Sequence, residues 1–482
     1  YSVRTELVRD GKVVDLLAHE LHVWEPKPLA KRSYITAKDG DLWLNGQKWR
    51  AHGVNYMPSC GVACDDWEYF HEYVGTRAYD PDIIDADLSR ISRMGMNMVS
   101  VFVCFPHHRS RNVIDLLMRC EKYGLKVNLG LRHRADPMNF DWVEVKEMIE
   151  SLRLAEHDTL FAYDLAWETH WGNYLGRFDA EWERWVVERY GSVANAEKDW
   201  GVPIPRNGNK GTRPGDGHLR QDGDWRRMVA AYRRFADDFS SQKHSAAVRL
   251  IKSSDPHHLT SFRMGYAGNP VEQPNYPYDF RAFKSLDLIE PETYGGAYAG
   301  NPGQGAFAAA YARYAAPGRP VFWAELGVSI WDGSNFKGTP PKTKEQVSFY
   351  ERMYDMMLKS HSSGSAGWYW PGGYRFDEKS DYGVINPDGS WRPVSEVIKK
   401  YSAPMTAPRD RPAVDHWITI DRDADARGLV GIYARVQGEF WWRSRTGSSR
   451  GCETKGPART RPTCRSRRLA IRTTTATTLR SI

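Results

Sequence analysis

From residue 80 the apolar positions keep a two-part rhythm: a stretch with hydrophobic residues every three or four positions, a small break, then a short unbroken apolar run. "DPDIIDADLSRISRMG" leads into "MNMVSVFVCF", "NVIDLLMRCEKYG" into "LKVNLGLRHR", and "WVEVKEMIESLRLA" into "LFAYDLAWE". An earlier strand, in "GDLWLNGQKWRAHGVNY", follows a hairpin turn at Asn45-Gly46 and ends at Asn55 and Tyr56. The rhythm pauses for a helical stretch, "DAEWERWVVERYGSVANAEKDWG", a Gly/Pro/Asn-rich loop over 203–223, and a long helix ending at "IKSSD". It then resumes in "HLTSFRMG", "LDLIEPETYGG", "RPVFWAELG" and "SAGWYWPGG". Unbroken apolar strands alternating with helices predict a parallel sheet, and eight units predict closure into a barrel. No Gly-x-Gly-x-x-Gly turn follows the first strand, which disfavours a dinucleotide fold.

The fold class expected is therefore α/β, a (β/α)8 TIM barrel with remnants of β-sandwich-like modules at both ends. Residues 1–26 alternate around the turn pair Asp10-Gly11 and read as the C-terminal part of a β module. Linker and hairpin lead-in occupy 27–49, the barrel 50–402 with its insertion at 170–223, and a Pro-rich linker 403–415. The stretch 416–442 reads as the first strands of another β module, and 443–482, rich in Arg, Thr and Ser, as a basic disordered tail.

Charge matters only once it is divided along the chain. The protein carries 67 Lys and Arg against 60 Asp and Glu, but 443–482 hold 11 of the cations and one acid, Glu453. The rest has 56 basic and 59 acidic residues, a net of −3, so no nucleic-acid partner is expected. No apolar run of 18 residues occurs, so no membrane span is expected either. Cys60 and Cys64 read as free thiols or a local disulfide ahead of half a metal site, because no second Cys/His pair with zinc spacing follows. The opening lacks an initiating Met and a signal peptide, so a fragment or processed form is expected and the N-terminus leaves localisation open, a secreted or periplasmic setting being the one suspected.

Candidate chemistry sits where barrel strands end, since catalytic groups of such barrels come from the C-terminal strand ends. Glu168 closes the fourth strand between Trp167 and Trp171, and aromatic walls raise a carboxyl pKa by desolvation, as suits a proton donor. Glu325 closes the seventh strand in "VFWAELG" beside Trp323. Two carboxyl groups at one barrel mouth are what glycosidic cleavage requires: one protonates the leaving oxygen and one attacks the anomeric carbon. Glu292 in "EPETYGG" is the rival carboxylate, kept as a substrate contact, and Asp164 is expected to bond internally. Asn55, His107 and His133 are polar residues at or beyond strand ends, where contact and loop capping are both open readings. Trp171 and Trp182 could line an outer subsite or pack the insertion on the barrel.

"YDLAWE", "VFWAELG", "GWYWPGG" and the lead-in "LNGQKWRAHGVNY" resemble clan A of the retaining glycoside hydrolases, which includes family 5 cellulases and mannanases and family 42 β-galactosidases. The resemblance spans roughly 37–402 and implies Glu168 as general acid/base and Glu325 as nucleophile. It further implies that the Tyr294 hydroxyl holds the nucleophile and that Trp370 floors the sugar that is cleaved. Two positions depart from the pattern: Trp167 stands where most members have Asn, and the second strand lacks their Arg. The nucleophile's ionisation is then left to Arg132 or Arg263, at the ends of strands three and five. The expected activity is retaining β-glycoside hydrolysis of poly- or oligosaccharides with no metal or organic cofactor, and the competing reading is a non-catalytic carbohydrate-binding barrel.

Overall fold

The computed structural model describes residues 1–58, 72–76, 78–104, 110–132, 142–165, 175–264, 268–296, 300–376, 378–413, 417–444, 450–454 and 470–473. Its centre is a ring of short parallel strands. These are β1 (Ala51–Tyr56), β2 (Met98–Cys104), β3 (Lys126–Arg132), β4 (Leu160–Asp164), β5 (Leu259–Ser261), β6 (Glu292–Tyr294), β7 (Phe322–Trp323 and Glu325–Gly327) and β8 (Gly364–Trp370). Hydrogen bonds run β5-β4-β3-β2-β1-β8-β7 in one sheet, and β6 pairs with the second piece of β7. Single parallel bridges, Arg263↔Glu290 and Ile289↔Val321, join the β6 segment to its neighbours on either side and close the ring. This is a TIM barrel.

The apolar runs become strands because both of their faces are covered. In β2, Val99, Val101 and Val103 pack outward with Leu88, Ile91 and Leu116, whereas Met98, Ser100 and Phe102 point inward to three different levels of the barrel. The outer helices follow the strands at Pro81–Arg93, Ser110–Lys122, Trp142–Ser151, Arg226–Ser254, Pro302–Ala315, Pro340–Lys359 and Pro393–Thr406. Between β5 and β6 the described residues hold only a 3-10 turn, Phe280–Phe283. Helix starts are set locally: Asp80 accepts from Asp82 N and Ile83 N at 3.0 and 3.1 Å, satisfying two amides that the first turn leaves unpaired.

The hairpin lead-in closes the base of the barrel. Strands Thr36–Lys38, Asp41–Leu44 and Gln47–Trp49 form an antiparallel sheet whose turn places Asn45 and Gly46 at φ 52° and 76°, as a two-residue hairpin loop requires. Ile35 and Leu42 then pack under Ala51, Met98, Phe161 and Phe322. The insertion after β4 folds as Asp179–Tyr190 and Val193–Trp200, parted by Gly191 at φ 78° and restarted by Ser192, whose hydroxyl accepts from Asn195 N at 3.1 Å. Trp182 is fully buried against Trp200, Tyr232 and Phe235, so it packs the insertion onto Arg226–Ser254.

At the N-terminus Ser2–Arg9 and Lys12–Glu20 pair antiparallel around Asp10-Gly11. The C-terminal segment departs from the sequence expectation. Trp417–Ile420 is a strand, but Leu429–Ser444, expected to be extended, is helical. Leu429, Ile432, Tyr433 and Phe440 are buried from that helix with Val436 partly covered, a three-and-four spacing that outweighs the local run of aromatic and branched residues. The stretch expected to be disordered contains strands Arg450–Thr454 and Ala470–Thr473, the former paired with Trp417–Ile420. Among the described residues no helix is long and apolar enough to cross a membrane.

Candidate active site

Above the apolar base the barrel interior turns polar. Asn55, Ser100, Asn128, Asp164, Arg263, Glu290 and Glu325 come from seven successive strand segments, and each is at most 1% exposed. Arg263, just beyond β5, is the hub. Its Nη1 donates to Glu325 Oε1 at 2.6 Å and to Asn55 Oδ1 at 2.7 Å, and its Nη2 to Ser100 Oγ at 2.6 Å. Its Nε lies 3.0 Å from Asp164 Oδ2, and its backbone N donates to Asp164 Oδ1 at 3.0 Å. The guanidinium also rests 4.8 Å over the Phe102 ring. A planar fork held at every corner has no room to swing.

Charge explains why this cluster is stable as an ion pair rather than neutral. Burial opposes the charge on Arg263, but Asp164, Glu325, Glu290 and Glu292 outweigh it and hold the guanidinium protonated well above its ordinary pKa. One cation cannot neutralise every carboxylate around it. Glu290 accordingly has its pKa raised, first by burial and then by the charge of Asp164, although Asn128 Nδ2 donates to it at 3.0 Å. Of these carboxylates, Asp164 and Glu325 lie directly against the guanidinium.

Glu325 is held on its other oxygen too. Tyr294 OH donates to Glu325 Oε2, and the parallel register that sets Glu292 beside Glu325 and Tyr294 beside Gly327 brings the two side chains together. Gly327 permits the approach, because a Cβ there would lie 2.8 Å from the Trp368 carbonyl and 3.4 Å from the Tyr294 ring. Asn55 Nδ2 donates to Ala324 O at 2.8 Å, which turns its oxygen toward Arg263.

Of the residues singled out in the sequence, the structure thus gathers Glu325, Tyr294, Asn55 and Arg263, with Glu292 buried at the adjacent register position. Trp370 lies elsewhere: fully buried, it is paired with Tyr56 in register and packed in the layer between barrel and helices. The tryptophan in the Tyr294 cluster is Trp368, with Phe102, Met57 and Tyr369, and with the Arg375 guanidinium 5.7 Å over its ring. Glu168, Trp167, Trp171, His107 and His133 lie outside the described residues, as do Cys60 and Cys64. Ser100, Asn128 and Glu290 are further members of the cluster; Ser100 and Asn128 each interrupt an apolar run, which is the readable signal, whereas Glu290 stands among other polar residues, Asp287 and Glu292, and has no such signal.

No protein-family model and no curated protein matches the chain. Solved structures do. The β-galactosidase from Rahnella sp. R3 superposes with a TM-score of 0.54 at 15% identity, over 79% of this chain. The barrel fold is shared with solved glycosidases. A GH5_18 structure from Streptomyces cattleya in complex with GlcNAc aligns at TM-score 0.52 and 13% identity, over 84% of this chain and 93% of that one. A GH5_18 structure from Bifidobacterium longum subsp. infantis gives 0.53 and 14%, over 84% and 96%. The chain spans 60% of the length of the Rahnella enzyme. Glu325 opens the second piece of β7, two residues before its C-terminal end.

Proposed function

We propose that this chain is a retaining β-glycoside hydrolase that needs no metal or organic cofactor, with Glu325 as nucleophile and Glu168 as general acid/base. The observation that carries the reading is a carboxylate 1% exposed at a barrel-strand end, clasped by Arg263 at 2.6 Å and by Tyr294. Such an arrangement is hard to account for as stabilisation alone, since a buried ion pair in place of apolar packing is commonly neutral or costs stability.

The reaction assigns each group a task. Glu325 attacks the anomeric carbon while Glu168 gives its proton to the departing glycosidic oxygen, forming a glycosyl ester on Glu325. Glu168, now a carboxylate, takes a proton from water; that water attacks the same carbon and releases Glu325. Arg263 keeps Glu325 ionised before attack, and the Tyr294 hydroxyl fixes the carboxylate plane. Trp368, in the cluster with Tyr294, is the better placed aromatic floor for the sugar, in place of Trp370. The two catalytic carboxyl groups should stand about 5–5.5 Å apart. Glu292, Asn55, His133, Trp167 and Trp171 are assigned to substrate contacts around this pair.

Galactosides and N-acetylglucosamine-containing oligosaccharides are the first substrates to try, given the β-galactosidase and the GlcNAc complex that share the fold. Hydrolysis of 4-nitrophenyl β-galactoside, β-glucoside, β-mannoside and β-N-acetylglucosaminide, followed by proton NMR of the first-formed anomer, tests the proposal. The β anomer is expected first. An α anomer would mean inversion and remove Glu325 as nucleophile, while tight glycan binding without turnover would make the barrel a carbohydrate-binding module.

A further inference from the structure

At the end of the barrel away from this site, a cavity of about 640 Å³ opens between helices Pro340–Lys359 and Pro393–Thr406. Its walls are of two kinds. Leu358, Tyr401 and Pro404 supply an apolar floor, and Lys359, Lys400 and Arg409 supply cations. The two acids that also line it are engaged: Asp355 accepts from the Tyr401 hydroxyl at 2.8 Å, and Asp410 pairs with Lys48 at 2.9 Å. Lys400 additionally reaches Glu351 at 3.3 Å.

More positive charge stands behind this wall. Arg50, 3% exposed, donates Nε to Met405 O at 3.3 Å and Nη2 to Ser362 O, and Arg313 donates to Ser360 O. These are neutral carbonyl acceptors. The carboxylate among these groups is Asp41, already shared by Arg411 at 2.8 Å and Lys48 at 3.0 Å. Burial, and then the charge of Arg409, lower the pKa of Arg50 to about 10, and burial and Arg411 lower that of Arg313 to about 9. Cations that depress one another in this way sit in a positive potential with too few anions. His361 adds an independent sign. It lines the cavity, is 7% exposed, and its Nδ1 is buried with no hydrogen-bond partner. A buried polar atom left unsatisfied marks a place where a ligand atom would bond.

We propose that this basal cavity binds a small organic anion, its phosphate or carboxylate group against Arg409, Lys359, Lys400 and His361 and its apolar body on Leu358, Tyr401 and Pro404. The site is independent of the hydrolytic centre at the other end of the barrel. The test is calorimetric titration of the full chain with phenyl phosphate and with inorganic phosphate, repeated on the charge-reversed surface variant K359E/K400E. Phenyl phosphate should bind at least ten-fold more tightly than inorganic phosphate, and the variant should weaken it at least ten-fold with an unchanged melting temperature. K400A alone, expected to weaken binding several-fold, serves if the double variant fails to fold. Equal affinity for the two phosphates, or unchanged phenyl phosphate binding in a folded variant, would overturn the proposal.

Discussion

The interior of this barrel is apolar at its base and polar at the level above, and the two levels do different work. At the base, Ala51, Met98, Phe161, Leu259, Leu288, Phe322 and Ala366 form one buried cluster with the hairpin residues Ile35 and Leu42. A few residues further along the same strands stand Asn55, Ser100, Asp164, Arg263, Glu290 and Glu325, equally buried but joined by hydrogen bonds and charge. Burial is the same in both regions; its energetic meaning is not. The base gains about 25 cal/mol for each Å² of apolar surface removed from water, whereas the polar layer must first recover the cost of desolvating its charges. A fold under selection for stability alone would extend the base upward, so the polar layer points to work done on a ligand.

The comparison can be broken most sharply at Glu325. Glu325→Gln should lower kcat on the order of 10⁴-fold or more, as loss of a nucleophile does, while urea denaturation shows the protein still folded. Next come two substitutions of similar thermodynamic size. Arg263→Met leaves Asp164 and Glu325 without their cation and should reduce unfolding free energy by roughly 3–5 kcal/mol together with kcat. Phe161→Ala, at the base, should cost about 3–5 kcal/mol as well, but with kcat per folded molecule unchanged. If both variants lose activity in proportion to stability, the two ends are not functionally distinct. Tyr294→Phe removes one hydrogen bond to a charged group, about 1.5–3 kcal/mol, and should lower kcat roughly 10- to 100-fold with little change in melting temperature. The smallest effect is expected at Gly46→Ala, where φ is 76° and a Cβ costs about 1 kcal/mol without touching activity, as chemical denaturation beside a rate assay would show.

The same contrast explains what could be read from the sequence. β2, β3, β4 and β8 were legible because their apolar runs are long and covered on both faces. β6 and β7 are three residues and two short pieces, so the runs "LDLIEPETYGG" and "RPVFWAELG" give their place in the chain but not their bounds. The hub role of Arg263 could be narrowed only to two arginines, because choosing between them needs the distance across the barrel to Glu325. Trp368 and Trp370, two positions apart, would share one face of a regular strand; a register irregularity between Gly367 and Trp370 separates them, and the cluster with Tyr294 shows which one lies inside the barrel. The helix Leu429–Ser444 runs against the expected strand, and the three-and-four spacing of its buried residues is the signal that favours it. Contacts that join distant strands leave no local pattern, so the Arg263–Asp164–Asn55–Ser100 network became visible only in three dimensions.

The central claim is that Glu325 is a nucleophile and not merely a buried ion-pair partner. The most direct test is intact mass after incubation with 2-deoxy-2-fluoro β-glycosides of the galacto, gluco and manno series bearing a good leaving group, followed by peptide mapping. The account predicts a single fluoroglycosyl adduct on Glu325, absent from Glu325→Gln. An adduct on Glu292 or Glu168, or hydrolysis of ordinary substrates with no adduct from any sugar, would contradict it.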